Sequence, residues 1–195
     1  MYRDSDTYDE IKKVIIQIYL DYDIREFPID EEVVCKKLGV SLVPYSEYDR
    51  DTRVLLRKRS KCGFFVKGTK GRTPTIYYND RYESEGARRL TIFHEVKHYV
   101  YNEDTDDDEF DDLADFFGRY FMCPIPYLLI KGIEMEEEIV SACHVSMEAA
   151  GNAASNIRNR KRKHGNRIFD YEIPLLEHLD KDAYEIFIRD QGNEI

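Results

Sequence analysis

His94, Glu95, Val96, Lys97 and His98 stand in one run, an HExxH. On a helix, the four-residue spacing between the histidines turns the chain by about 400°, so both imidazoles project from one face toward one point. Neutral imidazole nitrogens suit a borderline cation such as Zn²⁺, and two of them plus a carboxylate leave a fourth position for water. Glu95, beside the first histidine, is placed to take a proton from that water. The chemistry suggested is metal-assisted hydrolysis. The plain alternative is an amphipathic helix with two surface histidines; what weighs against it is an acidic third ligand at a sensible distance downstream.

That ligand should come from a second helix packed on the first. Over residues 110–124, Phe110, Leu113, Ala114, Phe117 and Phe121 form one apolar stripe, which reads as core. Asp111 and Asp115 lie four apart on the adjoining stripe, and Gly118 continues it. A residue without a side chain there lets the helix approach the HExxH helix closely, bringing Asp111 to the metal. Asp115, one turn on, then lies where an acceptor orients a ligand imidazole. Glu109 and Asp112 remain open as ligands, and these aspartates also read simply as the end of an acidic run.

The elements that must position these residues are legible in outline. Ile11, Val14, Ile15, Ile18 and Tyr19 recur at helical spacing over residues 8–22. A short helix follows Pro28, capped by Asp30 and ended by Gly39. Between Val40 and Tyr78, the runs VSLVPY, TRVLLRK, GFFVKG and TPTIYYN read as strands. Ser84 offers an N-cap, with Glu85 in the first turn, for the helix to about Tyr101 that carries the motif. Residues 110–122 are helical, with Pro124 and Pro126 stopping them. Two helices joined at CHVS come next over 133–163, Ser146 capping the second, and a last helix covers 175–190. The expected fold is α+β: a small, partly antiparallel sheet against a zincin-like helical core, with a C-terminal helix-turn-helix-like region. The expected division is 1–131 for the core and 132–195 for the C-terminal helices.

Composition bounds the partners. The 195 residues fit one domain or a compact core with an appendage. No apolar run approaches the ~20 residues of a transmembrane helix, and the first residues, MYRDSDTYDEIKK, lack the pattern of a signal peptide. Four cysteines without a CxxC pair suggest reduced thiols in the cytoplasm and no cysteine zinc site. The formal charge is −10, yet residues 103–112 hold eight acids and no base, and without them the remainder carries −2. That acidic run is expected to rim the active site and favour basic substrates. The opposite block, RNRKRKHGNR at 158–167, suits nucleic acid in composition. A net charge of −10 opposes duplex binding, so the block reads as a solvated helix end and no nucleic-acid partner is expected.

The run TIFHEVKHYVY, followed by D-x-x-A-D-x-F-G (Asp111 to Gly118) before YFMCP, resembles the ImmA/IrrE family of metallopeptidases. TIYYND upstream is similar to that family's strand before the zinc helix, and FPIDEEVVCKKLGVSLV to its helix and strand before that. VSACHVSMEAAGNAASNIR is similar to its downstream helical pair, so the likeness extends over about residues 27–160. The chain departs from the family in three places. Aspartate stands at Asp111 where glutamate is usual, Val96-Lys97 replaces Leu-Gly at positions expected to face away from the metal, and Gly118 replaces alanine. The resemblance implies a cytoplasmic Zn²⁺ endopeptidase with ligands His94, His98 and Asp111 and catalytic Glu95. It also implies a protein substrate, often a helix-turn-helix transcriptional repressor cut at one site. The competing expectation is a non-enzymatic regulator that binds DNA or a repressor through its C-terminal helices, with zinc only structural.

Overall fold

The computed structural model describes residues 5–81, 84–103 and 111–192, with residues 5, 111 and 192 described by their backbone alone. The chain is α+β, with one three-stranded mixed sheet among helices in the described residues. Its contacts divide it into two compact units, residues 30–119 and residues 1–29 with 120–195. These boundaries differ from the division at 131/132 drawn from sequence.

The first helix, α1 (Ser5–Asp21), belongs to the unit formed by the two chain ends. The unit of residues 30–119 opens with the helix Glu31–Leu38 (α2). Asp30 caps α2 by accepting from the backbone N–H of Glu32 and Val33, and Gly39 ends it at φ 75°. Only glycine takes that left-handed conformation without strain. The strands are β1 (Ser41–Pro44), β2 (Gly63–Val66) and β3 (Thr75–Tyr78), in the order β1-β3-β2. β1 runs parallel to β3, and β2 antiparallel. The TRVLLRK run, expected as a strand, is instead the helix Arg50–Arg59 (α3). Asp49 explains the difference: its carboxylate accepts from the N–H of Asp51 and Thr52, satisfying donors that a helix start leaves open. The helix buries no residue, and Leu55 is 64% exposed, so apolar character there did not signal a sheet face.

The motif helix, α4 (Glu85–Val100), starts at Ser84, whose hydroxyl accepts from Ala87 N–H. It packs on β2 and β3 and against α2. Ile92, Phe93 and Val96 are buried on its inner side, each contributing roughly 1.5–3 kcal/mol by leaving water. Arg89, 3% exposed, donates from Nε to Glu31 at 2.8 Å and ties α4 to α2. Gly63 permits the close packing on β2, since a Cβ there would stand 2.8 Å from both Thr91 Cγ2 and the Tyr77 carbonyl oxygen.

The helix α5 (Asp111–Met122) carries the chain from this unit into the other. Beyond it lie α6 (Ile125–Ile130), α7 (Glu136–Cys143), α8 (Met147–His164) and α9 (Ile173–Gly192). Pro124 and Pro126 end α5 but also start α6, where a missing N–H costs nothing. α7 and α8 are joined by His144, at φ 52°, and Val145, with Ser146 capping α8. α9 is kinked at Asp180 (φ −159°, ψ 82°), whose carboxylate accepts from Ala183 N–H and restarts the helix. Within this unit α1 packs on α9 and α8 on α7 and α6. The Tyr19 and Phe121 rings lie 5.0 Å apart, tilted by 32°, and the Tyr19 hydroxyl donates to the Phe121 carbonyl at 2.5 Å. Among the described residues no helix is long and apolar enough to cross a membrane.

Candidate metal centre

His94 and His98 face the same way one turn apart on α4, their ring centroids 5.2 Å apart and their planes inclined by 51°. His98 is 1% exposed and Glu95 6%. Burying a carboxylate and an imidazole on a helix is costly unless polar or charged groups meet them, and carboxylates meet both rings.

His94 Nδ1 donates to Asp115 Oδ1 at 2.9 Å. That hydrogen bond holds the Asp115 carboxyl below its ordinary range, against the opposing effect of partial burial, and Arg119 Nη1 at 3.5 Å adds to it. An ionised acceptor assigns the proton to Nδ1, so the neutral ring keeps its Nε2 lone pair. Gly118 makes room for this contact. A Cβ there would lie 2.9 Å from Leu90 Cδ1 and 3.3 Å from both Leu90 O and His94 N, so α5 touches the α4 backbone at the first histidine itself.

The second histidine has a carboxylate too, one that the sequence reading did not single out. α4 ends in a Schellman turn: Asn102 adopts φ 53°, its N–H donates to Tyr99 O at 3.1 Å, and Glu103 N–H donates to His98 O at 3.0 Å. The chain thereby folds back and sets Glu103 Oε2 3.3 Å from His98 Nδ1, a looser contact than that of His94. Lys97, 1% exposed, pairs with the same Glu103 oxygen. The signal was present in the asparagine after a helical run; the acids around Glu103 masked it. Tyr45 was missed as well. Burial pushes its phenol up to about 12 and the nearby Glu95 charge adds to this, while its hydroxyl donates to Ser60 O at 3.2 Å.

No family model, curated protein or solved structure matches the chain.

Of the expected site residues, His94, Glu95 and His98 share α4, and Asp115 joins them from α5. Asp111 opens α5, but its side chain lies outside the described residues, as do Glu109 and most of the acidic run. Asp112 is exposed. Among the described residues no group of three or more His, Cys, Asp or Glu side chains is arranged around a metal position. The donor chemistry of the two imidazoles fits a divalent ion such as Zn²⁺ on two counts: adjacent rings, and a carboxylate at each Nδ1. Of the tyrosines whose hydroxyls are the right type for an electrophile, Tyr99 donates to Leu38 O at 3.0 Å and Tyr77 stacks on Phe64 at 5.2 Å.

The basic block differs from its sequence reading at one residue. Arg160 is not a solvated cation: its guanidinium grips both oxygens of Glu172 at 2.6 Å, and Glu172 is fully buried. Lys161 pairs with Glu134. Arg158, Arg162 and Lys163 are exposed.

Proposed function

We propose that the chain is a cytoplasmic zinc endopeptidase of the ImmA/IrrE type, with a zincin-like core and a helix-turn-helix-like pair in α7 and α8. Its substrate in this reading is a protein, a helix-turn-helix transcriptional repressor cut at one site. The observation that carries it is the pairing of each HExxH imidazole with a carboxylate at Nδ1, on a helix whose Glu95 is also buried.

His94 and His98 would hold the ion through Nε2, with Asp111 as the third ligand. When bound, Zn²⁺ supplies a Lewis acid that acidifies water and polarises a carbonyl oxygen. Asp115 keeps His94 in the tautomer and orientation that present Nε2. Glu95 accepts the proton of the attacking water and passes it to the leaving amine. Its burial keeps bulk water away from the proton it would hold.

The regulator alternative draws less support, since two of the six Lys and Arg residues in its basic stretch, Arg160 and Lys161, are engaged by Glu172 and Glu134.

The test is metal analysis of the purified protein, followed by incubation with a helix-turn-helix repressor. The reading expects about one zinc per chain, cleavage at a single bond, loss of cleavage with a chelator and recovery on adding zinc. Cleavage that persists after complete metal removal would overturn it.

A further inference from the structure

Lys97 occupies the fourth position of the HExxH, where it is buried to 1% exposure. A lysine ammonium in such a place needs a countercharge, and Glu103 supplies it. A purely structural pair would have no reason to involve the neighbouring ring. Here the Glu103 oxygen that takes the Lys97 ammonium is also the one 3.3 Å from His98 Nδ1. Lys97 and His98 are successive residues and point about 100° apart on the helix, and Glu103, set past the helix end, reaches both. The Schellman turn at Asn102 brings Glu103 there, and Lys67 Nζ secures that turn from beyond β2 by donating to Asn102 O at 2.8 Å.

We propose that Lys97 is a positioning residue for His98: its ammonium anchors the Glu103 carboxylate beside Nδ1, which fixes the ring and leaves Nε2 as the metal donor. The first histidine is served by Asp115 from another helix, the second by a carboxylate that α4 provides for itself. The side chain also crosses the Tyr101 ring at 5.2 Å, a cation–π contact that limits where the ammonium can go. The inference rests on the metal-site reading above.

Three variants test it: Lys97→Met, Glu103→Gln and the double Lys97→Met/Glu103→Met. Each is examined by thermal unfolding, by Zn²⁺ titration against a chromophoric chelator, and by ¹⁵N NMR of the histidine rings in the metal-free protein. The parent should show His98 protonated at Nδ1. Each single variant should shift His98 toward a tautomer mixture, leave His94 unchanged and weaken Zn²⁺ binding about 10- to 100-fold, the range for groups that orient a ligand. The double variant separates the roles, because replacing both charges by apolar groups can restore stability without restoring a carboxylate at the ring. Recovered unfolding temperature with Zn²⁺ affinity still reduced supports positioning; parental Zn²⁺ affinity in the double variant overturns it. A parent that binds no zinc overturns the metallopeptidase reading itself, whereas a parent that binds zinc and variants that match it overturn the role of Lys97 alone.

Discussion

Two helices, one in each compact unit, carry the strongest polar motifs of the sequence. In α4 the motif is buried: Glu95, Lys97 and His98 are each under 7% exposed, though every one is a residue water would hold. In α8 the basic stretch is largely in solvent, and its inner face is a row of small residues, Ala149, Ala150, Ala153 and Ala154, with Ile157. Exposed charge costs little and so carries little information about function. Buried charge has to be met by partners, and on α4 those partners, Asp115 and Glu103, converge on two imidazoles. Arg160 is the exception on α8, and it behaves as that rule requires: the one cation of the stretch with a fully buried partner is held by both oxygens of Glu172.

The sharpest way to break this contrast is Glu95→Gln. Fold and bound metal should persist while cleavage of a repressor substrate falls about 100-fold or more, as expected for losing a general base. Parental cleavage rates in that variant would return α4 to an ordinary polar helix. Next in size is Glu172→Gln, which leaves Arg160 without its countercharge in a buried place. Loss of about 3–5 kcal/mol in denaturant unfolding is expected for breaking such a pair from one side. Neutralising Arg158, Arg162 and Lys163 together should instead change stability by no more than about 0.5 kcal/mol per site. Equal losses for the two sets would erase the distinction drawn within α8.

Asp115→Ala should weaken Zn²⁺ about 10- to 100-fold, measured by competition with a chelator, without unfolding the protein. Undiminished affinity would detach Asp115 from the site. The smallest effect belongs to Lys131 and Asp180, joined at 2.8 Å near the kink of α9. Hydrogen bonding to Lys131 lowers the Asp180 carboxyl, and hydrogen bonding to Asp180 raises the Lys131 ammonium. The lowered acid contributes above the ordinary carboxylate range of about 4 and loses this as pH falls through its depressed value. The raised base contributes below about 10.4 and loses this as pH rises through its elevated value. Lys131→Met should therefore cost at most about 1 kcal/mol near neutral pH and nothing at pH 2, by thermal unfolding across pH.

Much of the fold was legible because local signals and packing agreed. Asp30 with Gly39, Ser84, and Ser146 marked helix ends that the structure has at those residues. The TRVLLRK run was misread because a strand and an exposed helix both tolerate three adjacent apolar residues, and the cap that decides between them, Asp49, lies outside the run. Alternation also could not reveal the parallel pairing of β1 with β3, since register between distant strands is set by the crossover rather than by either strand. In the site, the spacing of the histidines and the Asp115–Gly118 stripe were readable from helical geometry. Glu103 was not, for a reason specific to turns: its position depends on one left-handed residue, Asn102, and not on any periodicity. Arg160 was lost in a block of like charges, where only the partner across the fold distinguishes one from another.

The turn at Asn102 also makes one of the two carboxylates a property of α4 itself. Glu103 is fastened by bonds to the helix that precedes it, and Asp115 lies within the helix that begins at Asp111. A β-branched residue in place of Asn102, which resists a positive φ, would therefore remove the carboxylate at His98 while leaving the one at His94 in place.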